Sequence, residues 1–231
     1  MASLLLIGAT GDVGRGIAAE LLDAGYEVLA VGHHEGRLAE LAKVLGHARL
    51  RTLVGSVADE AAAQSLLDKA RTVVPVFDGV IVSVNLPMKS ATLHAQSLDD
   101  VIATLRGNVG MHFVAAKAFI PAVRAGGLYL GIGGGMADFV AEGTGVMSMC
   151  QAAQRNMYRA LALEYADCGL RFHELLVCSM VAGHSNRDKA HPKWITDREI
   201  GRYVLAILEQ PASFTDTLLY LKSKSQVAEL A

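Results

Sequence analysis

The stretch IGATGDVGRG, residues 7–16, follows a short apolar run at the start of the chain and decides the fold. Its glycines at positions 8, 11 and 14 have the spacing Gly-x-x-Gly-x-x-Gly, between a predicted strand and a predicted helix. Glycine allows the positive φ of a tight turn, and a backbone without Cβ atoms lets a diphosphate approach closely. The helix that begins near Val13 presents free N–H groups and a positive dipole end. The stretch therefore predicts a dinucleotide-binding loop, with an ordinary glycine-rich turn as the alternative.

Short apolar runs alternate with helical patterns along the rest of the chain. Near-continuous aliphatic strands are typical of a parallel sheet covered by helices on both faces. The predicted strands are 4–7, 27–31, 49–54, 79–84, 127–132, 171–177 and 217–221, and the predicted helices lie near 14–24, 35–45, 59–71, 97–124, 146–167 and 197–209. Asp59 and Thr196 are predicted N-caps, and Gly25, Gly46 and Gly169 are predicted C-terminal stops.

This alternation predicts one α/β domain over residues 1–231. Its expected architecture is a doubly wound parallel sheet of about seven strands, a three-layer Rossmann fold with right-handed crossovers. The irregular segment 178–196 follows a late strand, so it is expected to overhang the carboxyl edge of the sheet, where ligands bind.

Composition limits the classes of partner and location. The net charge of −2 and pI of about 6.4 give no basic surface for nucleic acid. Cys150, Cys168 and Cys178 are odd in number and lack the spacing of metal ligands, so we expect a reducing compartment and no metal site. The first leucine run is too short for a signal peptide, and nothing is long enough to span a membrane. We expect a cytoplasmic protein.

The end of the second predicted strand bears on cofactor preference. A carboxylate usually accepts the adenosine ribose hydroxyls of NAD at this point, but Gly32 occupies it here. His33, His34, Arg37 and the loop residue Arg15 are close in sequence and can donate hydrogen bonds to a 2′-phosphate. We therefore expect NADP(H) to be favoured over NAD(H), with solvated turn residues as the alternative role for the two histidines.

Several segments together resemble the short-chain dehydrogenase/reductase family over nearly the whole chain. They are TGDVG at 10–14, Ser56-Val57, SVN at 83–85, RGNV at 106–109, RALALE at 159–164 and TLLYL at 217–221. The loop and the resemblance together predict these cofactor contacts: Gly8, Thr10, Gly11, Asp12, Val13, Gly14, His33, Arg37, Ser56, Val57, Asn85 and Gln151.

The resemblance also implies where catalysis takes place. Family members use a tyrosine that transfers a proton, a lysine four residues later, a serine that positions the carbonyl and an asparagine that supports a relay water. Counting back from the RALALE segment places Met147 at the tyrosine position and Gln151 at the lysine position. Gly134 falls at or beside the serine position, and only Asn108 is retained. The chain is therefore interpreted as an atypical member.

These replacements change the available chemistry. The thioether of Met147 cannot donate a proton, and Gln151 can bond ribose hydroxyls but carries no charge. The glycines at 133–135 widen the site and offer backbone N–H groups to an oxyanion, or they simply form a flexible turn. Other candidate proton donors are Cys150, Ser148, His184, Ser185 and His191. Tyr158 does not match the register that the RALALE segment sets for the catalytic tyrosine. The pair of Tyr220 and Lys224 is expected to lie away from the site. His112, which shares the helix face of Asn108, is a candidate contact for a partner subunit or the relay water.

Three functions remain open from the sequence. The favoured one is an NADP(H)-binding oxidoreductase with non-standard proton delivery, which acts on a small molecule that the sequence does not identify. The alternatives are a catalytically inactive relative that serves as a dinucleotide sensor or assembly subunit, and a non-redox enzyme on the same fold. A hydrophobic content of 52% and an apolar helix at 147–165 predict a homodimer or homotetramer, with packing of these apolar residues in the core of one chain as the alternative.

Overall fold

The structure is a computed structural model that describes residues 2–87 and 89–230. Its seven parallel strands form one sheet in the order β3-β2-β1-β4-β5-β6-β9. The strands are β1 Ser3–Ile7, β2 Glu27–Gly32, β3 Leu50–Val54, β4 Phe77–Val82, β5 Val123–Gly134, β6 Arg171–Val177 and β9 Leu218–Leu221, with β7 Val181–Ala182 and β8 Ile195–Thr196 in a separate pair. The predicted doubly wound sheet is confirmed.

Helices cover both faces of the sheet. They are α1 Asp12–Asp23, α2 Glu35–Leu45, α3 Glu60–Val73, α4 Leu98–Leu105, α5 Met111–Phe119, α6 Gly145–Glu164, α7 Asp197–Glu209 and α8 Lys224–Ala228. Apolar side chains from α1, α2 and α7 pack on one face, and those from α3, α5 and α6 pack on the other. These two cores and the sheet between them make the predicted three-layer fold. No helix in the described ranges is long and apolar enough to cross a membrane.

Helix ends follow the predicted capping residues. Asp59 accepts a hydrogen bond from the backbone N–H of Ala62 over 2.8 Å, and Thr196 forms a reciprocal capping box with Glu199. Gly46 ends α2 in the left-handed conformation, with φ of 55°. These caps satisfy backbone groups that the helices leave without partners.

The region 97–124 differs from its prediction as one helix. A π-helical turn at Arg106–Gly110 separates α4 from α5, and β5 already begins at Val123. Glycines at 107 and 110 weaken a regular α-helix, and Pro121 cannot occupy a helix interior. The π turn matters for the site because it contains Asn108.

Candidate functional site

The candidate site lies at the carboxyl edge of the sheet, between the loops that follow β1 and β4. These strands are neighbours at the point where the strand order reverses, which is where ligands bind in open α/β sheets. Two cavities adjoin there and share Ser83, Val84 and Asn85 in their walls. We call them the first cavity, of about 320 Å³, and the second cavity, of about 270 Å³.

The loop after β1 is packed so closely that two of its glycines have no room for a side chain. Gly8 has φ of +88°, and a Cβ atom there would lie 2.0 Å from the carbonyl oxygen of Ser83. A Cβ atom on Gly14 would lie 2.3 Å from the carbonyl oxygen of Gly8. At Gly11 the nearest atom would be 3.5 Å away, so this position faces open space. The loop thus fixes its own shape with two glycines and leaves the third accessible.

The start of α1 is suited to an anion. Its first backward hydrogen bond joins the N–H of Arg15 to the carbonyl of Gly11 over 2.9 Å. The N–H groups of Asp12, Val13 and Gly14 come before that bond, at the positive end of the helix dipole. Backbone donors at this place are what a diphosphate requires.

The first cavity gathers eight of the residues that were predicted to contact the cofactor. Its walls include Gly8, Thr10, Gly11, His33, Arg37, Ser56, Val57 and Asn85. His33 and Ser56 also line an adjoining recess together with Lys69. Two cationic side chains and a histidine therefore surround one end of this cavity.

Arg15 and His34 do not take the place that was expected for them. Arg15 is nearly buried; it donates to the carbonyl of Thr10 over 3.2 Å and pairs with Glu40 over 3.3 Å. His34 precedes α2 as its N-cap residue and is absent from the described walls of both cavities. Neither side chain lines the described walls of the first cavity, so these placements do not support their suggested role as donors to a 2′-phosphate.

The second cavity brings together the residues at the predicted catalytic positions. Met147 and Gln151 reach it from α6, Gly134 from the end of β5 and Asn108 from the π turn. The other described wall residues are Val13, Ser83, Val84, Asn85, Ile132, Gly133, Cys150, Gln154, Val177, Ser179, Met180 and Val181. None of the residues in these walls carries an ionic charge.

Gln151 and Asn108 differ in how far their hydrogen bonds are satisfied. The Oε1 atom of Gln151 is buried and has no hydrogen-bond partner in the described structure. Asn108 uses both ends of its amide, because it donates to the carbonyl of Thr104 over 2.8 Å and accepts from the N–H of Leu86 over 3.2 Å. Gln151 is thus free to bind a ligand, whereas Asn108 holds the loop after β4 against the π turn.

These observations fit a nicotinamide dinucleotide. The open position at Gly11 and the N–H groups of α1 suit its diphosphate, and the orphaned Oε1 of Gln151 suits a ribose hydroxyl. Two of the predicted contacts, Asp12 and Gly14, are not among the residues that line the two cavities. Gly14 shapes the loop from below, and the Asp12 carboxylate points to Ser185.

The candidate proton donors of segment 178–196 lie outside the described walls of the second cavity. His184 is 3.5 Å from Glu40, and Ser185 bonds to Asp12. The Nδ1 atom of His191 accepts a hydrogen bond from the N–H of Lys193 over 3.2 Å. These side chains are engaged with their own surroundings and do not face the cavity.

The two candidates on α6 differ from each other. Ser148 donates to the carbonyl oxygens of Phe139 and Thr144. Cys150, the other candidate, lines the second cavity. Burial raises the pKa of the Cys150 thiol, so it stays neutral at neutral pH and is a weak hydrogen-bond donor.

The tyrosines considered from the sequence do not reach the cavities. Tyr158 is fully buried, with its hydroxyl 3.2 Å from Nδ1 of His112, whose Nε2 is 3.1 Å from the carbonyl of Val84. Because a carbonyl only accepts, Nε2 carries the proton and the tyrosine donates to Nδ1. Burial lowers the pKa of His112 to about 4, so the ring is neutral. His112 is therefore an interior residue and not a contact for a partner subunit. Tyr220 lies on edge strand β9 and is not among the residues that line the two cavities.

Sequence reasoning missed two polar residues behind the second cavity. Gln154 is one turn beyond Gln151 on the same face of α6, and this spacing was the available signal. Glu174 is a glutamate in the middle of strand β6, at a position that faces the interior. It is fully buried, and burial raises the pKa of its carboxyl group to about 8.

Comparison with protein families agrees with this geometry. A family model described as enoyl-(acyl carrier protein) reductase matches residues 8–225, which is nearly the whole chain. Solved structures of short-chain dehydrogenases/reductases have the same fold over the same extent. The chain belongs to the short-chain dehydrogenase/reductase family of oxidoreductases.

Two curated relatives illustrate how far the sequence has diverged. An uncharacterized oxidoreductase of Mycobacterium tuberculosis is 26% identical over 230 residues, covering 96% of this chain and 84% of that protein. Sulfoacetaldehyde reductase 2 of Chromohalobacter salexigens is 42% identical over only 67 residues, which are 29% of this chain and 27% of that protein. The second match is thus limited to a short segment of each protein.

Three solved structures define the fold at low sequence identity. A short-chain dehydrogenase/reductase from Serratia marcescens has a TM-score of 0.85 at 20% identity and covers 95% of this chain and 96% of that one. An alcohol dehydrogenase from Thermococcus sibiricus, complexed with 5-hydroxy-NADP, has a TM-score of 0.84 at 20% identity, with coverage of 96% and 97%. A short-chain oxidoreductase from Pseudomonas aeruginosa, described as containing an atypical catalytic center, has a TM-score of 0.85 at 17% identity, with 95% of both chains covered.

Proposed function

We propose that this protein is an NADP(H)-dependent reductase that delivers its proton without the tyrosine and lysine of its family. The observation that carries this proposal is the pairing of an intact diphosphate loop with a second cavity lined by Met147 and Gln151. A loop of this shape indicates that the cofactor is still bound. A thioether facing the reaction space means that the proton must come from another group.

The first cavity supports NADP(H) over NAD(H). His33 and Arg37 line it, Lys69 lines the adjoining recess, and the described wall residues include no carboxylate. A carboxylate would accept the ribose hydroxyls of NAD, whereas cationic donors favour a 2′-phosphate. The complex of the Thermococcus relative with 5-hydroxy-NADP agrees with this preference.

Calorimetric titration with NADPH and NADH tests the cofactor preference. We expect tighter binding of NADPH and a loss of at least tenfold in its affinity for Arg37→Ala, with little change for NADH. Arg71→Ala, which removes an exposed charge from α3, is the matched control. Equal affinity for the two dinucleotides would contradict the preference.

The chain's own residues divide the work at the second cavity. A bound nicotinamide supplies hydride there; the Oε1 atom of Gln151 accepts from a ribose hydroxyl, and Asn108 keeps the loop after β4 in place. The neutral thiol of Cys150 adds a weak donor to the wall. None of these groups is an effective acid.

The uncharged wall also limits the substrate. A substrate anion inside the second cavity would lose its hydration without gaining a cationic partner, which is costly. An activated alkene or an imine is a better match, because hydride addition to it does not depend on a phenol in the way that carbonyl reduction does. The description of the family model as an enoyl reductase agrees with an alkene substrate.

A panel of uncharged enones, imines and carbonyl compounds with NADPH tests the reaction. We expect NADPH oxidation with enones or imines and little with simple carbonyls. Each enone is paired with a carboxylate analogue of similar size, which should react more slowly. Binding of NADPH without oxidation across the whole panel would contradict the reductase proposal.

The second candidate is a catalytically inactive relative that binds a dinucleotide as a sensor or assembly subunit. The simultaneous replacement of three catalytic residues, at Gly134, Met147 and Gln151, favours it. The test is the combined variant Gly134→Ser, Met147→Tyr and Gln151→Lys. Carbonyl reduction that appears only in this variant would favour the inactive relative, and turnover by the unmodified protein would exclude it.

We further propose that the protein assembles into homodimers or homotetramers. Exposed apolar side chains lie along α4, α5 and α6, where related enzymes pack against a second subunit. They are Leu98, Ile102, Phe113, Met149 and Leu163, each at least 45% exposed. Light scattering after size-exclusion chromatography measures the mass, and a monomer at micromolar concentration would contradict the proposal.

A further inference from the structure

Glu174 lies in the middle of β6 with no exposed surface. Neither of its carboxyl oxygens has a hydrogen-bond partner in the described structure. A buried carboxyl group without a partner is costly, and a charged one far more so. Its retention therefore requires either a structural compensation or a function.

The neighbouring strand makes room for this side chain. A Cβ atom on Gly133 would lie 2.3 Å from Oε1 of Glu174, so no larger residue fits there without displacing the carboxyl group. A Cβ atom on Gly131 would likewise lie 2.1 Å from the hydroxyl oxygen of Tyr158. The two glycines thus accommodate polar groups on the α6 face of the sheet.

The carboxyl group is separated from the second cavity by one layer of residues. Gly133 and Gln154 both line that cavity, and both lie directly against the space that Glu174 occupies. The Nε2 atom of Gln154 donates to the carbonyl of Ile132 over 3.1 Å, which holds the amide across the opening. A rotation of this one side chain would connect the carboxyl group with water in the cavity.

The surroundings keep the carboxyl group protonated. The nearby amide of Gln154 favours the charged form of the carboxyl group, and Arg155 and Arg159 on α6 do so more weakly, since Arg155 is paired with Asp138 at the surface. The buried hydroxyl of Tyr158 also lies near it, and Tyr129 stacks on Tyr158, while β9 on the other side of β6 places Leu218 opposite Glu174 and Tyr220 opposite Leu176. Desolvation outweighs the arginines and raises the pKa of Glu174 to about 8, so the group holds a proton at neutral pH.

We propose that Glu174 stores the proton that the reduced substrate receives, and passes it through water beside Gln154. This inference rests on the proposed reductase function and names the missing acid. In the transfer, the O–H bond of the carboxyl group breaks, and through the intervening water an N–H bond forms on a reduced imine, or a C–H or O–H bond on a reduced enone. The carboxylate that remains regains a proton from solvent by the same path. Glu174 does not touch the substrate; it stores the proton and acts through the water beside Gln154.

The first test uses the protein without ligands. NMR spectra of protein with ¹³C-labelled glutamate carboxyl groups, compared with Glu174→Gln, assign the Glu174 signal and follow its titration. We expect protonation to persist at pH 7 with a midpoint near 8. In Gln154→Ala, hydration of the carboxyl group should outweigh the loss of the Gln154 amide, so the midpoint should fall by at least half a pH unit. An ionised Glu174 at pH 7, or a midpoint that Gln154→Ala does not move, would overturn the inference.

The second test uses turnover with NADPH and the best substrate of the panel. We expect kcat of the wild-type protein to decline above pH 8, where Glu174 loses its proton. Glu174→Gln should lower kcat at least tenfold, leave the affinity for NADPH unchanged and abolish this decline. A Glu174→Gln protein with an unchanged pH profile would overturn the inference. If the reductase proposal fails, the wild-type protein shows no turnover with any substrate of the panel. The NMR titration without ligands then still shows whether Glu174 is protonated at pH 7.

Discussion

The carboxylate of Asp12 accepts two hydrogen bonds from Ser185, one from the backbone N–H over 2.9 Å and one from the hydroxyl over 2.5 Å. Asp12 is the first residue of α1, and Ser185 belongs to the segment 178–196. The pair therefore joins the diphosphate loop to the segment that overhangs the site. It also places a negative charge at the helix end that we expect to bind a diphosphate.

Replacing this charge should strengthen cofactor binding. Asp12→Asn keeps an oxygen for the N–H of Ser185 but removes the repulsion between the carboxylate and the diphosphate. At surface dielectric this is worth roughly 1 kcal/mol, so we expect the Kd for NADPH to fall about fivefold at low salt. Calorimetry at two salt concentrations measures the Kd for NADPH, and the difference in Kd between Asp12→Asn and the wild type should shrink at high salt. Asp68→Asn, an exposed change on α3, is the control; unchanged or weaker binding by Asp12→Asn would contradict the prediction.

The loop glycines should separate stability from binding. Gly8→Ala forces a side chain into a left-handed conformation and against the carbonyl of Ser83, so we expect a large loss of unfolding free energy, of several kcal/mol. Gly11 has φ of −74° and faces open space, so Gly11→Ala should change stability by less than about 1 kcal/mol.

Cofactor affinity is the second measurement on these variants. If Gly11 gives the diphosphate access to the backbone, Gly11→Ala lowers the affinity for NADPH at least tenfold in a protein that unfolds normally. Denaturant titration and calorimetry on the same preparations test both statements. A Gly11→Ala protein that binds NADPH like the wild type would show that the diphosphate does not lie at this position.

Local sequence patterns were enough to predict most of the fold, the glycine-rich loop after β1 and two of the α6 residues that line the second cavity, Met147 and Gln151. All seven predicted strands are present, because parallel strands bury both faces and stand out as apolar runs. The predicted helix at 97–124 ran too far, since its apolar pattern continues through the π turn and into β5. The short strands β7 and β8 and the final helix α8 are too brief to show periodicity.

Contacts between distant residues were beyond the reach of the sequence. Asp12 appeared only as a loop residue, and its bonds to Ser185 span 173 positions. His112 was related to Asn108 by helical spacing, yet its partner is Tyr158 on another helix. Glu174 gave no signal beyond its charge, because the space that holds it is made by glycines of a neighbouring strand. Such features depend on packing that a single sequence does not encode locally.

Gly134 and Gln151 should be coupled. A Cβ atom on Gly134 would lie 2.6 Å from Nε2 and 2.7 Å from Oε1 of Gln151. Gly134→Ala alone should therefore displace the amide and destabilise the protein by about 1 kcal/mol, at the low end for overpacking, because the end of the flexible Gln151 side chain can move. Gln151→Ala in the same protein should recover most of that loss.

A double-mutant cycle measures this coupling by denaturant titration. The matched control is Gly126→Ala combined with Gln151→Ala, because nothing lies within 4 Å of a Cβ atom at Gly126, although its φ of +76° imposes a local cost. That control should be additive. If the stability effects of Gly134→Ala and Gln151→Ala were additive, the amide of Gln151 would not lie against Gly134. There would then be no reason to change both positions together when the family's serine is restored.

The titration of Glu174 should make stability decline toward alkaline pH. The folded protein holds this proton up to about pH 8, whereas the unfolded chain releases it near 4.5, so the free energy of unfolding falls as the pH rises between these values. Burial lowers the pKa of His112 and His173, which gives the opposite slope below about pH 6.5. The glutamate is therefore best isolated above pH 7.

We expect the unfolding free energy of the wild-type protein to fall by roughly 1 kcal/mol more than that of Glu174→Gln between pH 7 and pH 8. Urea titrations at both pH values measure the difference, and comparison with Glu174→Gln cancels the titration of every other group. Tyr129→Phe, which alters a neighbouring buried hydroxyl without removing the carboxyl group, should keep the wild-type slope. Parallel slopes for the wild type and Glu174→Gln would mean that the carboxyl group is already ionised in the folded protein at pH 7, because only a proton bound to the native state and absent from the unfolded chain produces this decline.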